Sequence, residues 1–247
     1  MFMLSITDPM LVAILSFVVV TLGISLQALI GIGFGLVAAP LLFLLNPAFV
    51  PVPILVAGTC LSLIVVVHQR QQLQWRRIMP AILARLPGAW LGAWLLLQMP
   101  APLLGLLFGA TLLLAVLLSL VHISLPFNRT SLCLAGFSSG LIGTATSVGG
   151  PPMALVYQHQ PRLETRNELA AFFLLGTPVS ILMLALQGGI SEQQIQLSLA
   201  ILPGVVSGYV LARLIEGRWA IQSARKPLLA ISGISALLVL YKAMTSL

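Results

Sequence analysis

From Met10 onward the chain is a series of apolar runs close to bilayer thickness, joined by short links with few charges. The runs fall at Met10 to Ile30, Phe34 to Leu45, Val50 to Val67, Ile78 to Leu97 and Leu103 to Val121. In the second half they fall at Ser131 to Ile142, Pro152 to Tyr157, Leu169 to Leu186, Ile195 to Leu214 and Leu228 to Tyr241. A helix needs ~20 apolar residues to cross the hydrocarbon layer. Within that layer every backbone polar group must be paired internally, which leaves helices or a closed barrel. The runs are continuous rather than alternating, which excludes the barrel. Composition agrees: 59% of the 247 residues are hydrophobic and 7% charged, with a mean hydropathy of +1.10, where soluble domains carry about 25% charged residues. The expected fold is an all-α polytopic membrane protein.

The formal charge of +7 does not point to nucleic acid. Lys and Arg are mostly dispersed between apolar runs, where they set topology. "HQRQQLQWRR" holds Arg70, Arg76 and Arg77, and "EGRWAIQSARK" holds Arg218, Arg225 and Lys226 with Arg213 just before it. Both links are expected in the cytoplasm. "QGGISEQQ" and "QMPAP" carry no Lys or Arg and are expected outside. Cys60 and Cys133 lie in apolar context and form no metal or disulfide framework. The N-terminus has Asp8 and no basic leader, so the first run is expected to be a retained helix.

These orientations run Ile78 to Leu97 outward and Ile195 to Leu214 inward, yet the two segments share landmarks. One has Leu86-Pro87-Gly88 followed by Gly92, the other Leu202-Pro203-Gly204 followed by Gly208. Upstream, "GIGFGLVAAP" runs from Gly31 to Pro40 and "GTATSVGGPP" from Gly143 to Pro152. Matched landmarks in the same order predict two inverted-topology repeats, residues 1–125 and 126–247, within one integral membrane domain. Chance is the plainer reading, since Gly and Pro are common in membrane helices. Ser131 to Tyr157 covers 27 residues, too few for two crossings at ~20 each. It is expected to form broken or re-entrant half-helices meeting near the midplane.

Unwound backbone at membrane depth must be buried in protein or line a watery cavity. The two breaks therefore predict opposite walls of one cavity. Pro151 and Pro152 suit the first turn of a half-helix, whose N-terminal dipole would favour an anion. Candidate substrate-binding residues are Gln27, Gly31, Gly33, Phe34, Thr144, Thr146, Ser147, Gly149 and Gly150. For any single glycine, close helix packing is an equally good explanation. Candidate hinges or helix breaks are Pro40, Pro87, Gly88, Pro151, Pro152, Pro203 and Gly204. None of the five acidic residues, Asp8, Glu164, Glu168, Glu192 and Glu216, falls clearly mid-span, which disfavours a cation carrier. Arg85 is the reverse case. It follows Arg77 by eight residues, so it reaches ~12 Å into a layer whose half-thickness is ~15 Å. It is expected to face the cavity and bind substrate. The alternative is that it snorkels to the interface. Its counterpart in the other repeat is Ile201. His68, His122 and His159 read as interfacial, and Trp90 and Trp94 as belt or packing residues. No triad, metal cluster or nucleotide loop is present, so no cofactor, no metal and no enzyme activity are expected.

The chain resembles the TauE/SafE family of bacterial permeases, the sulfite exporters, over nearly its whole length. The likeness rests on "GIGFGLVAAPLL", its echo "GLIGTATSVGGPPMAL" and the duplicated layout. Two positions depart from the pattern: Phe34 stands where another Gly is expected, and Thr146 and Ser147 lie in a region often richer in Gly. The resemblance implies transport of a small sulfur-containing anion such as sulfite, a sulfonate or sulfoacetate across the bacterial inner membrane. Alternating access of the two repeats would move it. A membrane-embedded scaffold without transport activity is the alternative, and a carrier of another small ion a second. Proton or ion coupling and a homodimer stay open. The expected partners are the anion and the lipid bilayer, with no nucleic acid.

Overall fold

A computed structural model describes residues 9–30, 34–69, 73–120, 125–216 and 221–245. Among them are α1 (Pro9–Ile30), α2 (Phe34–Leu45), a 3-10 turn (Pro47–Phe49), α3 (Val52–Gln69), α4 (Trp75–Gln98) and α5 (Ala101–Leu120). The second half has α6 (Arg129–Thr146), α7 (Gly150–Tyr157), α8 (Arg162–Leu186), α9 (Glu192–Ile215) and α10 (Ile221–Met244). No strand occurs among the described residues. Five helices, α1, α3, α4, α8 and α9, are long and apolar enough to cross a membrane. Each apolar run of the sequence therefore becomes a helix.

The helix ends follow local chemistry. Asn128 starts α6 by accepting a hydrogen bond from the Ser131 amide at 2.8 Å. Ser191 and Gln194 form a reciprocal capping box at the start of α9, which satisfies two amides the helix cannot pair itself. Ser147 ends α6 in the left-handed region, φ 63°, and its amide returns to the Gly143 carbonyl at 2.9 Å.

Three expectations are corrected. α4 runs unbroken through Pro87-Gly88, and α9 through Pro203-Gly204. Pro40 likewise lies inside α2. An internal proline costs one backbone bond and crowds one carbonyl, which membrane helices tolerate. The glycines serve packing instead. A Cβ on Gly88 or Gly92 would collide with the backbone of Phe137 or Leu141 on α6. On α9, a Cβ on Gly208 would come 2.6 Å from the Thr21 carbonyl oxygen of α1. Next, Ser131 to Tyr157 does not form two equal half-helices. α6 has 18 residues, ~27 Å of helix, and only α7, with eight residues, is short. Finally, α8 starts at Arg162, well before the apolar run, so Glu168 is no end residue. It is 1% exposed inside the helix.

Packing has a regular plan. α4 lies on α6 and α1 on α9; α4 meets α8 and α3 meets α9; α3 pairs with α8 and α5 with α10. α4 shows how one helix serves both solvents. It buries Ile78, Ala81, Ile82, Arg85, Gly88, Ala89, Gly92 and Ala93. It exposes Leu83, Leu86, Trp90, Trp94 and Leu97. That exposed stripe suits lipid, and it puts Trp90 and Trp94 outside.

Ionic contacts gather at the end formed by the start of α4, the start of α8 and the close of α9. Arg77 meets Glu164 at 2.9 Å and Glu168 at 3.5 Å, and it covers the Phe127 ring at 4.2 Å. The Tyr157 hydroxyl donates to Glu168 at 2.7 Å. Glu216 pairs with Arg166 and Arg213, both at 3.0 Å.

Candidate functional site

Where α1, α2, α3, α4, α6, α7 and α8 converge, a cavity of about 50 Å³ opens. The described parts of the two Gly/Pro-rich stretches meet here, Phe34 to Leu36 from one and Ser147 to Pro151 from the other. A Cβ on Gly35 would fall 2.6 Å from the Ser147 carbonyl oxygen, so only glycine lets these backbones touch. Gln27, Phe34 and Gly35 line one side, and Ser147, Gly149, Gly150 and Pro151 the other. Gln27, in the last turn of α1, accepts the Phe34 amide at 3.0 Å and so ties α1 to α2. Gly31 and Gly33 lie outside the described residues.

Arg85 reaches the wall of this cavity from α4 and is 1% exposed. Its guanidinium donates to Ser139 Oγ at 2.9 Å and Ser180 Oγ at 3.3 Å. Its Cζ lies 5.0 Å from the Phe172 ring centre and 5.6 Å from that of Phe173, within cation–π range. Gly176 makes room for the stem, since a Cβ there would lie 2.5 Å from Arg85 Nε. Nε itself has no hydrogen-bond partner. Among the described residues no carboxylate pairs with Arg85. A buried charge costs several kcal/mol, and two hydroxyls and two ring faces offset it only partly. Snorkelling is excluded, because the head group is enclosed.

The hydroxyls of the α6–α7 break do something other than expected. Thr144 donates to Ser180 at 2.7 Å, Thr146 to the Ile142 carbonyl at 2.8 Å, and Ser147 to the Pro51 carbonyl at 2.9 Å. All three hydrogens are therefore used within the protein, as a buried hydroxyl requires. Thr144 acts through Ser180, and Thr146 closes α6. Ser147 lines the cavity but spends its hydroxyl pinning the break to the start of α3. Pro151 and Pro152 occupy the first turn of α7, as their missing N–H allows. Of the residues that line the cavity at that end, Gly149 and Gly150 carry backbone N–H groups and Pro151 carries none.

Sequence reasoning missed Ser139 and Ser180, which hold the guanidinium. It also missed a contact between the two halves. Thr59 and Thr177 meet hydroxyl to hydroxyl at 2.6 Å, and each also lies within hydrogen-bond distance of the carbonyl four residues back, Leu55 and Phe173, so one hydroxyl donates to its carbonyl and the other donates to its partner. One sequence signal would have found Thr59, Thr177 and Ser180, though not Ser139: "GTCLS" at 58–62 repeats as "GTPVS" at 176–180. It places Thr59 opposite Thr177 and Ser62 in the position of Ser180.

Comparison with curated proteins and with solved structures finds no match. A family model does match, that of the sulfite exporter TauE/SafE, over residues 15–239. With nearly the whole length covered, the chain belongs to the TauE/SafE sulfite exporter family.

Proposed function

We propose that this protein is a secondary transporter of a small sulfur-containing oxyanion, sulfite or a sulfonate, in a bacterial inner membrane. The family is one of membrane transporters, and the chain has several helices able to span a bilayer. One observation carries the choice of ligand charge: Arg85 is enclosed beside a cavity and has no carboxylate partner among the described residues. An oxyanion there supplies the missing charge and accepts from a planar fork of N–H donors. The cavity takes roughly four water-sized centres at ~10–15 Å³ each, which suits one sulfur with three oxygens.

Alternating access by two inverted repeats is supported by the packing plan, in which exchanging α1–α5 with α6–α10 returns the same helix pairs. Thr59 and Thr177 would then sit on the pseudo-twofold axis. Excess Lys and Arg at the links favour the cytoplasm for the end that carries Arg77 and Arg166.

The test is flux by the purified protein in proteoliposomes, with sulfite, a short alkanesulfonate, sulfate and chloride compared. Sulfite or sulfonate movement well above protein-free vesicles is expected. Its absence for every sulfur anion would return the protein to a scaffold role.

A further inference from the structure

Gln27 lines not one cavity but two. It also borders a second space of about 10 Å³ that Ser62 and Arg166 line and Arg85 does not. We propose that this space is a second oxyanion site, the counterpart in the other half of the molecule of the site at Arg85. The inference rests on the oxyanion reading of the Arg85 site.

Two polar groups there lack partners. Ser62 is 1% exposed and its Oγ makes no hydrogen bond. Arg166 Nε is buried and also unpaired, while its Nη1 pairs with Glu216 at 3.0 Å. A buried hydroxyl without a partner is costly, and the fold offers nothing local that requires it. Charge favours an anion. The hydrogen bond from Arg166 holds the Glu216 carboxyl below its usual range, with Arg213 helping against the opposing effect of burial. Glu216 is thus ionised at neutral pH, and the group of Arg166, Arg213 and Glu216 keeps one net positive charge.

The sequence supplies the correspondence. Ser62 stands in "GTCLS" where Ser180 stands in "GTPVS", and Ser180 is a ligand of Arg85. Ile201 matches Arg85 and brings no cation, so α8 supplies one through Arg166. In the present conformation the space admits about one water, so an oxyanion enters only when the wall at Gln27 moves. The two sites then lie in series, with Gln27 the partition and an arginine on each side. An anion leaving Arg85 towards the charged end meets Arg166 and Ser62 next.

The experiment measures two quantities on the same variants: sulfite affinity by calorimetry in detergent and sulfite flux in proteoliposomes. Ser62→Ala deletes only the unpaired hydroxyl. Arg166→Lys keeps a charge for Glu216 and deletes Nε–H. Both are expected to hold sulfite within about twofold of the parent affinity, because the Arg85 site is intact, and to lose about five- to tenfold in flux, the worth of one hydrogen bond. Ser62→Thr, which retains a hydroxyl, should recover flux relative to Ser62→Ala. Parent-like flux in both Ser62→Ala and Arg166→Lys overturns the second site while leaving the first untouched. A loss of flux matched by an equal loss of affinity also overturns it, since the residues would then act through Arg85. The Arg85 reading fails separately, if Arg85→Met leaves the affinity unchanged.

Discussion

Replacing Arg85 by Met separates the charge from the volume it fills. The stem of Arg85 lies on Gly176, so Ala would open a void costing ~24 cal/mol per Å³. Met keeps most of that volume and removes the guanidinium. The two serines that lose it keep other bonds: Ser139 donates to the Gly149 carbonyl at 2.6 Å, and Ser180 accepts from Thr144 at 2.7 Å. No ion pair is broken. Replacing a buried charge by an apolar group of similar volume is commonly neutral or stabilising by ~1–4 kcal/mol, so ligand-free Arg85→Met should melt at or above the parent temperature. Anion binding behaves oppositely. Two charge-assisted hydrogen bonds at ~1.5–3 kcal/mol each correspond to about 10²- to 10⁴-fold in affinity. Thermal unfolding in detergent, with and without sulfite, reads both effects. Saturating ligand at a hundred times Kd should stabilise the parent by ~2.7 kcal/mol and the variant by nothing measurable. Arg85→Lys keeps the charge without the fork and should fall between them. An Arg85→Met protein that binds sulfite within about threefold of the parent would refute the electrostatic argument.

Gly88→Ala forces a methyl into the Phe137 backbone and should cost ~1–3 kcal/mol by overpacking, seen as a lower melting midpoint; an unchanged midpoint would show that this crossing is not tight. Gly58→Ala is the contrasting case, since nothing lies within 4 Å of the added Cβ and Gly58 lines the cavity. It should melt like the parent but transport more slowly, and parent-like flux would remove Gly58 from the pathway. Glu168→Gln should lower the midpoint by the worth of a buried polar contact, ~1–3 kcal/mol, because its side chain is 2% exposed against Arg77. Glu164→Gln, with a side chain 43% exposed, should change stability by less than ~1 kcal/mol; equal effects of the two would contradict the burial argument.

The helices were legible because lipid allows few alternatives. Any apolar run in this chain must pair its own backbone, so run boundaries gave helix boundaries within a few residues. α8 and α10 both start well before their apolar runs, and α8 is the informative case. Its first two turns are polar, "RLETRNE", and hydropathy stops at the apolar segment while the helix continues. Ion pairs to Arg77 and Glu216 satisfy those turns, and such long-range partners leave no periodic trace. The cavity was legible through its breakers and its costly arginine. The hydroxyls were only half legible. Thr144, Thr146 and Ser147 mark the right place, yet each hydrogen goes to an acceptor whose position depends on the fold. Ser139 and Ser180 look like ordinary small residues of a membrane helix until Arg85 is brought against them.

Glycine does two physically different things in this chain, and two matching sequence motifs show how the difference leaves room for a cavity. At Gly88, Gly92 and Gly208 the absent Cβ is replaced by another helix's backbone. At Gly176 it is replaced by the Arg85 side chain, and at Gly58 by nothing. Gly58 and Gly176 hold the same place in "GTCLS" and "GTPVS", so one would expect the same covering. The Leu-Pro-Gly landmarks set Arg85 against Ile201, and Ile201 is fully buried but lacks the reach of an arginine. One substitution within a matched frame therefore has two consequences. It leaves Arg85 without a carboxylate among the described residues on one side and uncovered space over Gly58 on the other. A symmetric pair of arginines would fill both gaps and repel each other; a symmetric pair of isoleucines would leave space without charge. On the proposed oxyanion reading, only the unequal pair would give an anion both a counter-charge and room.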